Sequence, residues 1–133
     1  MTSAGAAEYV RPFLEVVVLD AVAASLRARG QRVVRLDASG WTEDADLHRE
    51  LAAALEFPAH YGANLDALND SLGDLDVGDG LALAFIGYDG FATHCPRTAR
   101  IALEIIAEHC AEAAVHGRQL SCLVQPPIAW AEA

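Results

Sequence analysis

Three groups of side chains have types and spacings from which chemistry could be built. His60, Asp66 and Asp70 place an imidazole and two carboxylates within eleven residues, the parts of an acid–base pair or a metal site. His94-Cys95 and His109-Cys110 resemble two pairs of soft metal ligands. Glu104, Glu108 and Glu112 recur every fourth residue, a carboxylate stripe on one helical face. None of the three is specific. Two aspartates at i, i+4 beside a loop histidine match no recognised ligand spacing. The chain has no HExxH motif and no nucleophile elbow, and its Gly-rich loop lacks the GxxxxGK[ST] pattern that cradles phosphate. On a continuous helix the two His-Cys pairs lie about 22 Å apart, too far for one ion. Cys95 sits near a helix N-terminus, which can lower a thiol pKa, but a packed, inert cysteine is the better reading. The glutamate stripe reads first as a solvated face. No catalytic residue, metal or cofactor is expected.

The two aspartates make better sense as a binding face. They lie in the decapeptide Tyr61 to Asp70, YGANLDALND, after the turn Phe57-Pro58-Ala59-His60. Asn64 is a good N-cap, able to accept from the free amides of a first helical turn. Leu65, Leu68 and Leu72 then form one apolar stripe facing a core. Asp66 and Asp70, four apart, point together on another face, where like charges repel by roughly a few tenths of a kcal/mol. Asp66 is favoured by the positive helix N-terminus, whereas Asp70 nears the opposing C-terminus. Local stability does not ask for Asp70, and that mild frustration points to binding.

The elements around this face read as alternating strands and helices. Residues 1–8 are a loose polar start. Phe13 to Leu19 is a β-branched run and a predicted strand, after which Asp20 would cap a short helix ending at Gly30. Val33 to Leu36 is a second strand. Thr42 or Asp44 begins a helix with Leu47, Leu51, Ala54 and Leu55 on one face. A Gly/Asp-rich loop spans Asp74 to Gly80, and Leu81 to Ile86 (LALAFI) is a continuous apolar run suited to a buried parallel strand. Pro96 starts a long helix to about Val115, and Leu120 to Val124 is the last strand, stopped by Pro126-Pro127 before a tail with Trp130. The pattern predicts one α/β domain over residues 1–133, with a small, mainly parallel sheet packed by helices.

Composition narrows the partners. The chain has 133 residues, a net charge of -10 and a mean hydropathy of +0.22, so a packed core is expected rather than disorder. All nine basic residues are arginine. Between Glu50 and Pro96 stand eight acids and no lysine or arginine. Such a surface repels nucleic acid and anionic membranes and attracts a basic protein. Three widely spaced cysteines fit reduced thiols in the cytosol rather than a disulfide framework. The N-terminus makes a poor signal peptide, since Glu15 and Asp20 interrupt its apolar stretch.

The stretch from Asp46-Leu47-His48 through FPAHYGANLDALNDSL resembles the barstar family, intracellular inhibitors of a secreted bacterial ribonuclease. The core Tyr61-Gly62-x-Asn64-x-Asp66-Ala67-Leu68 carries most of the likeness. It extends more loosely over about 32–125, leaving 1–31 as an extension with an added strand and helix and 126–133 as a tail. The resemblance implies a two-layer α/β fold and a mechanism. The acidic helix and the turn before it would plug the basic active site of a ribonuclease or nuclease toxin, with carboxylates in the places of RNA phosphates. By position, Asp70 matches the family's central aspartate and Asp66 a second acidic contact. Asn64 and Gly62 match backbone-shaping and rim contacts, and Glu112, counted back from Gly117, matches an interface glutamate on the last helix. The family usually has aromatic residues, typical interface anchors, where this chain has His60 and Asn69. That departure implies weaker binding to a barnase-type enzyme or a different basic partner. A protonated His60 would oppose a basic cleft, so binding would weaken as the pH falls. A small hydrolase using His60 with Asp66 or Asp70 is a distant third reading.

Overall fold

The computed structural model describes residues 8–128. In chain order it comprises β1 (Val10–Pro12), α1 (Val16–Ala28), β2 (Arg32–Asp37), α2 (Asp44–Leu55), α3 (Leu65–Gly73), β3 (Leu81–Ile86), α4 (Tyr88–His94), α5 (Pro96–Val115) and β4 (Leu120–Val124). The four strands form one sheet, all pairs parallel, in the order β1-β4-β3-β2. Trp130 and residues 1–7 of the polar start lie outside the described residues.

The central strand explains how helices cover the sheet. In LALAFI, large and small side chains alternate, and a strand sends alternate residues to opposite faces. Leu81, Leu83 and Phe85 join Val34, Leu36, Cys122 and Val124 in the main core, where α2, α3, α4 and α5 pack. Ala82 and Ala84 point the other way, and with Leu123 they receive Leu19 and Leu26 of α1. The expected two-layer unit is therefore present, and the added helix covers the second face of its sheet. Trp41 stands edge-on to Phe85 and Phe91, with ring centroids 6.2 and 5.4 Å away. Tyr88 is fully buried and donates its hydroxyl to the Ala99 carbonyl at 2.7 Å. The short helix α4 was not anticipated. It begins at Gly87, φ 63°, where a Cβ would stand 2.6 Å from that of Ser39, so close approach and backbone conformation both require glycine.

The N-terminal elements correct the sequence reading. Phe13 to Leu19 is not a strand, and Asp20 caps no helix. Strand β1 ends at Pro12, and α1 already runs from Val16, with Glu15 at its N-cap. Tertiary packing overrides β-propensity here. Leu19, Ala23 and Leu26 are spaced i, i+4 and i+7, and as a helix they bury together, leaving Val17 and Val18 exposed. Asp20 lies inside the helix and accepts from the Arg35 guanidinium at 2.8 Å. Helix α2 starts at Asp44, the second of the two expected starts, and its Asp46 reaches back to accept from the amides of Thr42 and Glu43.

Candidate functional site

The segment joining α2 to α3 is fixed at both ends by unusual backbone. Glu56, which ends α2, has φ 58°, and Ala63, just before the next N-cap, has φ 55°. Left-handed conformations in residues other than glycine store strain of order 1 kcal/mol or more, and they concentrate at functional sites. Between them the Tyr61 amide donates to the Pro58 carbonyl at 2.9 Å, closing the turn. Tyr61 anchors this turn to α2. Its ring packs 4.9 Å from that of Phe57, and its hydroxyl makes a 2.6 Å hydrogen bond with Nδ1 of buried His48. Burial drives the Tyr61 pKa up to about 12 and pulls that of His48 below its ordinary value, against the opposing charge of Asp44.

The acidic helix forms as its sequence demands. Asn64 is extended, and its side chain accepts from the Ala67 amide at 2.8 Å. Leu68 and Leu72 are buried and Leu65 is half-buried against the core. Asp66 and Asp70 are exposed, and neither takes part in an ion pair among the described residues.

The seven residues marked by sequence fall around three neighbouring hollows, not one. His60, Gly62 and Asp70 line a cavity of about 420 Å3 between the turn and α3. Asn64 and Asp66 line a second, of about 360 Å3, which they share with His48 and Arg97. Glu112 lines a third, of about 270 Å3, between α5 and the end of α3, together with His109 and His116. Asn69 reaches toward that third hollow, since Nε2–H of His109 donates to its Oδ1 at 2.8 Å. Gly62 has no left-handed φ. A Cβ there would stand 3.4 Å from that of Ala67, so the glycine keeps the turn close to the helix. Glu112 is exposed, with its carboxylate 3.5 Å from Nδ1 of His116.

Charge separates the two aspartates. The hollow of Asp66 includes the cation Arg97 and the carboxylate Asp44, whereas the cavity of Asp70 is lined by His60, Glu56, Asp74 and Asp76 and by no arginine. His60 and Asp70 share a cavity, but Asp66 does not join them, and no hydrogen bond ties the histidine to either carboxylate among the described residues. Sequence reasoning missed Arg97 and read His109 only as one of the His-Cys pairs, since their separations from Asp66 and Asn69 follow no local period. His48 carried a signal as the end of Asp46-Leu47-His48, though its bond to Tyr61 did not. The other two groups fare differently. Cys95 has its pKa raised by burial, by a hydrogen bond with Asp44 and by the charges of Asp44, Asp46 and Glu43, which favours the thiol over the thiolate. Glu104 accepts from Arg100 at 3.2 Å, while Glu108 is exposed. No helix among the described residues is long and apolar enough to cross a membrane.

Comparison with protein families identifies a match. A sequence model of the family described as Barstar (barnase inhibitor) covers residues 31–125, which include the turn, the acidic helix and the sheet from β2 to β4. No curated protein matches the chain.

Proposed function

Because the chain belongs to the barstar family, an inhibitor family, we propose that it binds and blocks the basic active site of a ribonuclease or nuclease toxin. Residues 1–133 act as one domain in this reading, in the cytoplasm of the cell it protects, without catalysis and without nucleic acid or membrane as partner. The observation that carries it is Asp70, an exposed carboxylate with no arginine in its cavity, presented by a capped helix behind a braced turn. A carboxylate so placed can stand where an RNA phosphate would sit and pair with the arginines or lysines that bind it. Asp66 adds a second charge one turn earlier, with Asn64 and Gly62 shaping the approach and Glu112 flanking it from α5.

A protein occupying the phosphate sites must exclude substrate. Inhibition of a guanyl-preferring bacterial ribonuclease should be competitive with RNA, and a 3′-guanylic nucleotide should slow complex formation. Inhibition independent of RNA concentration would contradict the plug.

A second reading has support of its own. His60 and Asn69 replace the usual aromatics, and Asn69 is engaged by His109. Both changes make the face more polar than an aromatic-anchored interface. A basic protein other than a ribonuclease would use the same carboxylates, and it would be captured by this chain without any ribonuclease being inhibited.

A further inference from the structure

Helix α1 lies outside the family match, which begins at residue 31, and the inhibitor reading gives it no role. It is apolar on two opposite sides. Leu19 and Leu26 bury against Ala82, Ala84 and Leu123 of the sheet. Val17, Ala21, Ala24 and Ala28 recur at i, i+4, i+7 and i+11 on the far side, and all four are exposed. Val18 and Leu14, just before the helix, flank them. Leu14, Val17 and Val18 keep 79, 69 and 49% of their surface in water. A helix face turned to solvent is ordinarily polar. Alanine there serves helix propensity, but valine is a poorer helix former, so the helix itself does not account for Val17 and Val18. Exposed large apolar side chains grouped in this way mark a surface that another surface covers.

Two asymmetries along α1 identify the cover. The bulk stands at the N-terminal end, in Leu14, Val17 and Val18, and only alanine continues the stripe. On one flank the carboxylate of Asp20 precedes the guanidinium of Arg27 by two turns. Arg27 is exposed and takes part in no ion pair among the described residues. A second α1 laid antiparallel matches both. With Ala21 opposite Ala24 of the other copy, Val17 meets Ala28, and Asp20 comes within about 3 Å of Arg27 along the helix axis. Parallel pairing would set valine against valine and leave a gap between the alanines.

We propose that α1 is a self-association surface, on which two copies of this chain pair antiparallel about a two-fold axis between Ala21 and Ala24. A face of 13 residues, about 20 Å long, offers less than the roughly 800 Å2 per partner of a standard interface, so the dimer is weak and concentration-dependent. It lies across the sheet from α3, so pairing leaves both acidic faces open and one dimer holds two partners at once. The inference stands apart from the inhibitor reading.

Sedimentation equilibrium of the full chain from about 10 µM to about 1 mM should show the mean mass rising from 14.1 kDa toward twice that value. Ala24→Glu puts a charge at the centre of the pair and should weaken it at least about tenfold, with circular dichroism unchanged. Arg27→Glu should weaken it about three- to tenfold, since two symmetry-related attractions become repulsions, and Glu108→Gln on α5 less than about twofold. In a mixture of 13C-labelled and unlabelled protein, a nuclear Overhauser contact is expected between the methyl groups of Val17 and Ala28. Those groups lie eleven residues, about 16 Å, apart along one helix, so only antiparallel copies bring them together. A mass fixed at the monomer value up to about 1 mM, equal association by Ala24→Glu, or contacts from Val17 to Val17 in place of Ala28 would overturn the proposal. Contacts from Val17 to residues 1–7 or to Trp130 in a chain that stays monomeric would overturn it too, and would make the chain's own ends the cover.

Discussion

Asp66 and Asp70 stand one turn apart on α3 but line different hollows, and Arg97 from the start of α5 lines only that of Asp66. A cation at the rim opposes a basic partner, so Arg97→Gln should speed association about two- to fivefold at low salt, measured by stopped flow. An unchanged rate would place Arg97 outside the field the partner senses. His48 makes a separate prediction about stability. Its folded pKa lies below the ordinary 6.5, so in between the unfolded chain holds the extra proton. The stabilisation is complete above about 6.5 and is lost as the pH falls through the folded value. The lowered carboxylates Asp20, Asp37 and Asp46 act only below about pH 4, so the window from 7 to 5 isolates the histidine. Urea midpoints should therefore fall from pH 7 to pH 5, and His48→Gln should flatten the slope. An equal slope in the variant would assign the effect elsewhere. At this scale the sequence showed Asn64 as the cap of α3 and placed Asp66 and Asp70 away from its buried stripe, because capping and helical spacing are local rules. It could not show the bonds His109–Asn69 or His48–Tyr61, which span 40 and 13 residues and depend on how helices and turn pack.

Strands β2, β3 and β4 and helices α2, α3 and α5 were legible from periodicity and caps, since each has a continuous apolar pattern bounded by Gly, Pro or Asn. The N-terminal elements were not. Val16, Val17 and Val18 favour a strand locally, and only the surface of Ala82, Ala84 and Leu123 tells them to coil. That surface makes a prediction. Ala84→Leu should lower stability by about 1–3 kcal/mol by forcing α1 off the sheet, and Leu19→Ala by about 2–5 kcal/mol by leaving a void. Ribonuclease binding should survive in both wherever the protein remains folded, because α1 lies on the face of the sheet opposite α3. Loss of binding in folded Ala84→Leu would show that the added helix communicates with the site. The short helix α4 escaped notice because seven residues give too little period to read, yet Gly87 and Gly90 fit closely against Ser39 in the turn before α2.

Over the whole molecule, a net charge of -10, with eight acids and no arginine between Glu50 and Pro96, makes the protein a long-range attractor for cations. Association with a basic ribonuclease should slow steeply as salt rises through about 0.1 M, where the screening length is about 10 Å, while dissociation changes little. A salt-independent association rate would mean that the acidic face is incidental. The central claim, that Asp70 is the phosphate mimic of a ribonuclease inhibitor, is tested most directly by enzyme inhibition. Purified guanyl-preferring bacterial ribonucleases are assayed at low salt with wild type and with Asp70→Ala, the fold of each checked by circular dichroism. The expected result is potent inhibition of at least one enzyme by wild type, weakened about a hundredfold or more in a variant that remains folded. Equal inhibition by wild type and the folded variant, or no inhibition of any enzyme by either, would contradict it.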